Sequence, residues 1–370
     1  MINEIHLVNF KSFRKISIKL SNLNILTGIN GTGKSTIIQS VLMVIQSGSP
    51  DFVECNGELI ELGDYSDIQH ENAQDDSLLV EITGFGEKSS WGFNENIGVS
   101  PSVDQLPAIK IDQSMLNFLK SNSVYISAER WGPRPNVPLN SYNSNPYWLG
   151  KHGEFTVQFL HRLSQGGFKD TNDSLISKLP DGDPRNYDDS VGPLILSNII
   201  AWMGEISPNV KINASVIKDA MIGYSSFSFG NGKQHKATNV GFGISYSLSI
   251  VTALVAAKKG SIVIIENPEA HIHPSGQSRL GQLIALTAKA GVQVLIETHS
   301  EHVINGSRIM IRKDLVPSDE LNVMYVDRLD GQDESMIRCI KANKMGQLSE
   351  WPDGFFDQQA KDMKTLMTGV

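Results

Sequence analysis

Residues 28–36 read Gly-Ile-Asn-Gly-Thr-Gly-Lys-Ser-Thr, and no other stretch of the chain restricts its fold so tightly. The spacing G-x-x-x-x-G-K-[ST] describes a loop that cradles phosphates. Gly28, Gly31 and Gly33 allow backbone turns closed to other residues and a close approach to a phosphate. The amides from Gly31 to Thr36 would then point inward at a helix N-terminus, which favours an anion. In this reading Asn30, Gly31, Thr32 and Gly33 shape the cradle. Lys34, Ser35 and Thr36 bind the phosphates and Mg2+ of a nucleoside triphosphate, with Lys34 on the β- and γ-phosphates and Ser35 on the metal. Residues 23–27 predict a buried strand entering the loop. Residues 34–47 predict a helix with Ile37, Ile38, Val41, Leu42 and Ile45 on one side. A flexible glycine-rich turn, the bland alternative, would need neither.

At 370 residues the chain allows one large or two ordinary domains. Its two cysteines, Cys55 and Cys339, offer neither a disulfide framework nor metal-ligand spacing, and suit a reducing cytoplasm. The N-terminus shows no basic segment followed by an apolar one, so no signal peptide is expected. The longest apolar stretch, residues 248–257, is too short to span a bilayer, and no membrane partner is expected. A net charge of −8 argues against a stand-alone nucleic-acid binder, although Lys11, Arg14, Lys15 and Lys19 form a local basic patch.

In chain order, residues 4–10 and 15–20 alternate apolar and polar, predicting a hairpin ahead of the loop. Residues 58–62 and 77–83 read as further strands of the same lobe. Residues 86–122, rich in Ser, Asn, Asp and Gly, lack strong periodicity and are expected to include an irregular connection. A strand over 124–128 leads into Glu129-Arg-Trp-Gly-Pro-Arg134, where Arg130 and Arg134 are candidates for a phosphate or a partner carboxylate, or solvated turn residues. Apolar spacing is helical over 153–163 and 191–206, and 166–190 reads as a long loop. The chain therefore divides into a lobe over 1–100, a mostly helical insertion over 101–235, a second lobe over 236–345 and a tail over 346–370.

The second lobe carries the other chemistry. Gly241, Gly243 and Ser245 lie in a glycine-rich turn opening an apolar helix, a weak phosphate signal by itself. One helix later, residues 261–266 run apolar and β-branched into Glu266. This describes a buried parallel strand with an acid at its C-terminal edge, where ligands sit in such sheets. Glu269 follows on the loop leaving that strand. His271 and His273 alternate like a metal pair but have no evident third ligand. A strand over 292–296 then leads to Glu297 and His299.

Taken in this order, the motifs resemble an α/β ATPase of the SMC/RecF-like, ABC-superclass AAA group, with a head of mixed and parallel sheet. The segments 127–134, 150–154, 240–245, 266–274, 297–301 and 351–358 together resemble one bacterial family of AAA ATPases with a C-terminal domain of unknown function. The resemblance implies an ATP and Mg2+ site shared across a self-dimer. Glu266 would support the metal, His299 would sense the γ-phosphate, and Gly241, Gly243 and Ser245 would close the partner copy's site. Lys11 or Arg14 would approach the nucleotide, and Gln69 is a candidate for a metal-bound water. The resemblance also implies an effector protein encoded nearby, in a phage-defence or mobile-element setting. Related nucleases add a large Toprim domain; Asp327, Asp330 and Asp333 in the 70 residues after Ser300 do not make such a site.

One departure matters. The group's Asp-Glu pair is here Glu266-Asn267, and Asn cannot take a proton. Glu269 and Glu297 are the candidate substitutes, with Glu297 and His299 expected on one face if their strand stays extended. The rival reading is an ATP-gated scaffold that hydrolyses little. DNA repair of the RecF kind is disfavoured by the charge.

Overall fold

The computed structural model describes residues 1–94, 102–140, 145–169, 174–328, 334–352 and 354–369. Asp330, Asp333 and Asp353 lie outside the described residues. Two compact units emerge, one of residues 2–116 and 317–370 and one of residues 117–316 together with Met1.

The first unit opens with β1 (Ile2–Phe10), β2 (Phe13–Lys19), β3 (Leu23–Gly28), α1 (Lys34–Gln46), β4 (Phe52–Glu54), α2 (Tyr65–Ile68), β5 (Leu78–Gly84), β6 (Glu87–Phe93) and β7 (Gln105–Lys110). Helix α3 (Gln113–Asn122) leads into the second unit, which holds β8 (Ser123–Ile126), β9 (Val137–Pro138), α4 (Thr156–Ser164), β10 (Phe168–Lys169), β11 (Leu175–Ile176), α5 (Ile195–Ile206), β12 (Val210–Ile217), β13 (Ile222–Phe229), β14 (His235–Lys236), α6 (Phe242–Ala256), β15 (Ile262–Glu266), α7 (Pro274–Lys289), β16 (Gln293–Glu297) and α8 (Glu301–Arg312). The chain then returns to the first unit with β17 (Leu321–Arg328), β18 (Ser335–Lys341) and α9 (Gln358–Thr368).

In the first unit the predicted hairpin forms, with Val8 opposite Lys15 and Leu7 opposite Ile16. Its apolar positions Ile5 and Leu7 are fully buried, as the alternation requires, and Phe10 is buried beyond Asn9, whose φ of 49° interrupts that alternation. The antiparallel sheet continues from β1 through β5, β6 and β7 to β4. Much of 86–122 is regular despite its lack of periodicity, with β6, β7 and α3 inside it. Phe85 and Gly86 take positive φ and make a tight turn, so polar β6 pairs back on β5 and buries Ser89, Ser90 and Trp91. The strand expected at 58–62 is corrected. The Oε1 atom of Gln46 accepts the amides of Leu59 and Ile60, and Asn56 Oδ1 accepts those of Leu62 and Gly63. Side chains thus take the backbone hydrogen bonds that a neighbouring strand would otherwise satisfy. Strand β3 is buried along its length and pairs in parallel with β17, which pairs antiparallel with β18.

In the second unit β8, β15 and β16 form a parallel set, with Ile262 abreast of both Ser123 and Gln293. Their near-continuous burial is that of strands covered on both faces. The insertion is mixed rather than mostly helical. Helices α4 and α5 are present, but β12 and β13 pair from Val210↔Phe229 to Ile217↔Ile222, with β9 and β14 beside β13. The alternation Val210-Lys-Ile-Asn-Ala-Ser-Val216 carries this signal. Arg185 is buried, ion-paired with Asp183 at 2.7 Å, and donates to the carbonyls of Leu254 and Ala257 at the end of α6.

Helices α7 and α8 cross at two glycines. A Cβ on Gly281 would lie 2.1 Å from the Val303 carbonyl oxygen, and one on Gly306 2.1 Å from that of Ser278. Gly306→Ala is therefore expected to cost about 1–3 kcal/mol by overpacking, despite the better helix propensity of Ala. A denaturant midpoint at or above the parental one would contradict this close backbone crossing. No helix among the described residues is long and apolar enough to cross a membrane.

Candidate functional site

The phosphate-loop motif lies in the first unit. Gly28 has φ 135°, and its register with Val326 brings the Val326 carbonyl to 2.1 Å from where a Cβ would stand. Gly31 (φ 80°) has open space around it and needs glycine only for its backbone angle. Gly33 (φ 97°) needs it twice over, because a Cβ would lie 2.2 Å from Ser12 Oγ. Helix α1 has Gly33 as its N-cap, no side-chain cap and no acid in its first turn. Its N-terminal end is thus left electropositive. Asn30 and Gly31 are exposed, Ser35 is half-buried, and Thr32 and Thr36 are buried. Lys34 is buried and its Nζ donates to the Ile29 carbonyl at 2.7 Å, which also accepts from Thr32 Oγ1 at 2.8 Å. The ammonium is therefore held inside the loop. These features fit a triphosphate.

The neighbouring candidates Lys11, Arg14 and Gln69 have contacts of their own. Lys11 takes φ 50° and its Nζ donates to Gln39 Oε1 on α1 at 2.9 Å, while burial lowers its pKa. Arg14 is half-buried. It is Ser12 between them that meets Gly33, together with Ser335, whose amide donates to the Ser12 carbonyl at 2.9 Å. Gln69 is half-buried and bridges Phe10. The tail motif also reaches this loop: Phe355 is buried edge-on against Tyr325 at 5.6 Å, and a Cβ on Gly354 would lie 3.8 Å from Ile29 Cδ1. Nothing in the spacing of residues 351–358 announces that placement.

The strand-end carboxylates lie in the second unit. Parallel pairing sets Glu266 and Glu297 abreast at the C-terminal ends of β15 and β16. Glu266 accepts from the Ala128 amide at 3.2 Å and from the Tyr125 hydroxyl. Burial raises the Glu266 pKa, against the lowering effect of those two donors and of Arg130. Tyr125, a residue the sequence does not mark, is itself buried and its pKa is pushed up by burial and by the carboxylate beside it. Glu297 is buried.

The expected extension of β16 to His299 is corrected. The strand ends at Glu297, and His299 is exposed where Glu297 is not. Glu269 explains the break: its Oε1 accepts the His299 amide and its Oε2 accepts from Thr298 Oγ1, each at 2.7 Å. Ser300 then caps α8 by accepting the amides of His302 and Val303. Glu269 therefore fixes the loop that carries His299.

The glycine-rich turn sits at the start of α6. Gly241 is its exposed N-cap, with open space around it. A Cβ on Gly243 would lie 2.5 Å from the His271 carbonyl oxygen, and Ser245 is half-buried one turn on. The His pair has other work: His271 packs against Phe242 and Tyr246, and His273 caps α7 by accepting the Ser275 amide. Among the described residues no group of three or more His, Cys, Asp or Glu could hold a metal. Arg130 and Arg134 part ways. Arg134 is exposed and stacks on Trp131 at 4.0 Å. Arg130 is buried and donates to the carbonyls of Ser127, Glu266 and Asn267.

The sequence pattern of the family described as "AAA domain, putative AbiEii toxin, Type IV TA system" matches residues 23–305. Residues 316–366 match the family described as "Protein of unknown function (DUF3696)". A search of curated proteins found no match. Among solved structures, a crystal structure of the SmcHead bound to the C-winged helix domain of ScpA is similar at TM-score 0.58 and 14% identity, over 93% of this chain and 98% of that one. The Smc head domain with an extended coiled coil bound to the C-terminal domain of ScpA, from Pyrococcus furiosus, is similar at TM-score 0.58 and 12% identity, over 100% of both chains. At these identities the likeness establishes an SMC-head fold.

Proposed function

The chain belongs to the AAA-domain family whose pattern spans residues 23–305, and from that membership we propose that it is a Mg2+-dependent ATPase that binds ATP between two copies of itself to control a partner protein. The observation that carries this reading is the phosphate loop: three glycines at positive φ, an uncapped helix end and a buried lysine turned inward. Lys34 and the amides from Gly31 to Thr36 hold the phosphates. Ser35 and Glu266 are the residues assigned to the metal, which when bound would neutralise charge developing on the transferred phosphoryl group. Glu297 accepts a proton from the attacking water, Glu269 holds the His299 loop, and His299 meets the γ-phosphate. Gly241, Gly243 and Ser245 meet the phosphates held by the second copy.

The two SMC heads are each described bound to a ScpA domain, which supports a protein partner here. The AbiEii toxin in the family's description supports a toxin–antitoxin setting; a phage-defence role, an effector encoded nearby and a cytoplasmic location are part of the same proposal. Asn267 in place of the usual acid favours a second reading, an ATP-gated scaffold with little hydrolysis.

Light scattering tests the shared site. ATP is expected to convert monomer to dimer, and Ser245→Arg to block that conversion. Ser245 is half-buried, so Gly241→Arg is the cleaner probe: its position is exposed, open and at φ −64°, where arginine fits the monomer. Dimerisation that ignores ATP and both substitutions would sink the shared-site reading.

A further inference from the structure

Arg130 lies at the centre of contacts that the phosphate chemistry leaves unused. The residue is 3% exposed. One nitrogen, NH1, donates to the carbonyls of Ser127 at 2.8 Å and Glu266 at 2.7 Å, and the other, NH2, donates to that of Asn267 at 2.7 Å. The same group lies 5.1 Å from the centre of the Tyr246 ring on α6. Both terminal nitrogens are thus turned to backbone carbonyls, while the buried Nε meets no hydrogen-bond partner. It is built to hold a shape.

What it holds is specific. Asn267 sits at φ 46°, a conformation an Asn tolerates but does not seek. Its amide donates to the Glu297 carbonyl at 2.8 Å while its own carbonyl is gripped by Arg130. The loop that carries Arg130 also brings the Ala128 amide to the Glu266 carboxylate. Arg130 thus sets where both strand-end carboxylates stand. On the other side, Tyr246 is one turn beyond the glycine-rich turn. Tyr246 meets the His271 ring at 4.9 Å, Phe242 meets it at 5.6 Å, and Gly243 has no room for a side chain against the His271 carbonyl. Each contact ties the start of α6 to the segment leaving β15.

We propose that Arg130 is a positioning residue which, through Tyr246, locks the glycine-rich turn of α6 to the Glu266–Glu297 strand ends, so that engagement of this turn by a second copy is felt at the chain's own carboxylates. The functional part of this rests on the ATPase reading above; the mechanical part does not. A guanidinium over an aromatic face and three aligned carbonyls is a two-sided clamp, and each side can be cut separately. Lysine keeps the charge of Arg130 but loses the planar fork. Leucine at Tyr246 keeps an apolar filler but loses the ring face.

The test uses the full chain. Arg130→Lys and Tyr246→Leu are expected to lower kcat for ATP at least about tenfold with KM changed less than about threefold, since uniform binding is untouched. Tyr246→Phe, which keeps the ring face, is expected to retain most of the parental turnover, and Lys218→Met, at an exposed position away from the clamp, to match the parent. Hydrogen exchange reads the clamp without nucleotide: amides over 127–131 and 241–246 are expected to exchange faster together in Tyr246→Leu. Parental exchange in both segments would overturn the clamp, whatever the turnover. Faster exchange with parental kcat would overturn its role in coupling. A parent that binds no ATP would fail the ATPase reading alone, and exchange would then decide the clamp.

Discussion

Lys34→Ala is expected to weaken ATP binding at least about a hundredfold, because two or more charge-assisted hydrogen bonds of roughly 1.5–3 kcal/mol each disappear with the ammonium. The fold should survive. Lys34 is buried at the first position of α1, where alanine is a good helix former. Removing a buried charge also removes its desolvation cost. Titration with a fluorescent ATP analogue measures the affinity and thermal melting checks the fold. Parental affinity in a folded variant would remove the phosphate loop from the function altogether.

Glu297→Gln is the second large effect. General-base contributions are about 100- to 10,000-fold, so turnover is expected to fall at least about a hundredfold while ATP still binds. Three observations single out Glu297. It stands abreast of Glu266, it is buried, and it lies at the end of a parallel strand where such sheets place their chemistry. Glu269, the other candidate, uses both carboxylate oxygens on the Thr298–His299 loop. Glutamine there can still accept the His299 amide and can donate to Thr298 Oγ1. Glu269→Gln is accordingly expected to stay within about threefold of the parent, well short of a lost general base. Asn267 engages through its backbone, at a positive φ that glycine accepts. Asn267→Gly is therefore the appropriate control for an idle side chain. If Glu297→Gln and Glu269→Gln both hydrolyse at the parental rate, neither carboxylate is the base, and the ATP-gated scaffold becomes the better account.

Several elements could be read from the residues because their causes are local. The phosphate loop needs three glycines, a lysine and two flanking elements, all within residues 23–47, and each is where the spacing put it. The β1–β2 hairpin and the strand ending in Glu266 announced themselves by alternation and by continuous burial. Strand β12 carries the same period of two over residues 210–216, within an insertion whose neighbouring segments have helical spacing. Strand β6 is different: its polar residues give no period, and only pairing with β5 across the Phe85–Gly86 turn makes it a strand.

The sequence by itself determined where the phosphate loop lies, which strand delivers the acid and which turn opens α6, since backbone angle and side-chain period are properties of neighbouring residues. Only the tertiary structure decided what each functional side chain does. Arg130 reaches the Glu266 carbonyl across 136 positions, and Glu269 reaches Thr298 across 29. A carboxylate or guanidinium offers several hydrogen-bonding sites to whichever groups arrive, and burial makes leaving them unmet costly. The partners come from remote segments, so whether Glu269 is free to take a proton, or Arg130 to bind a phosphate, is settled when those segments pack.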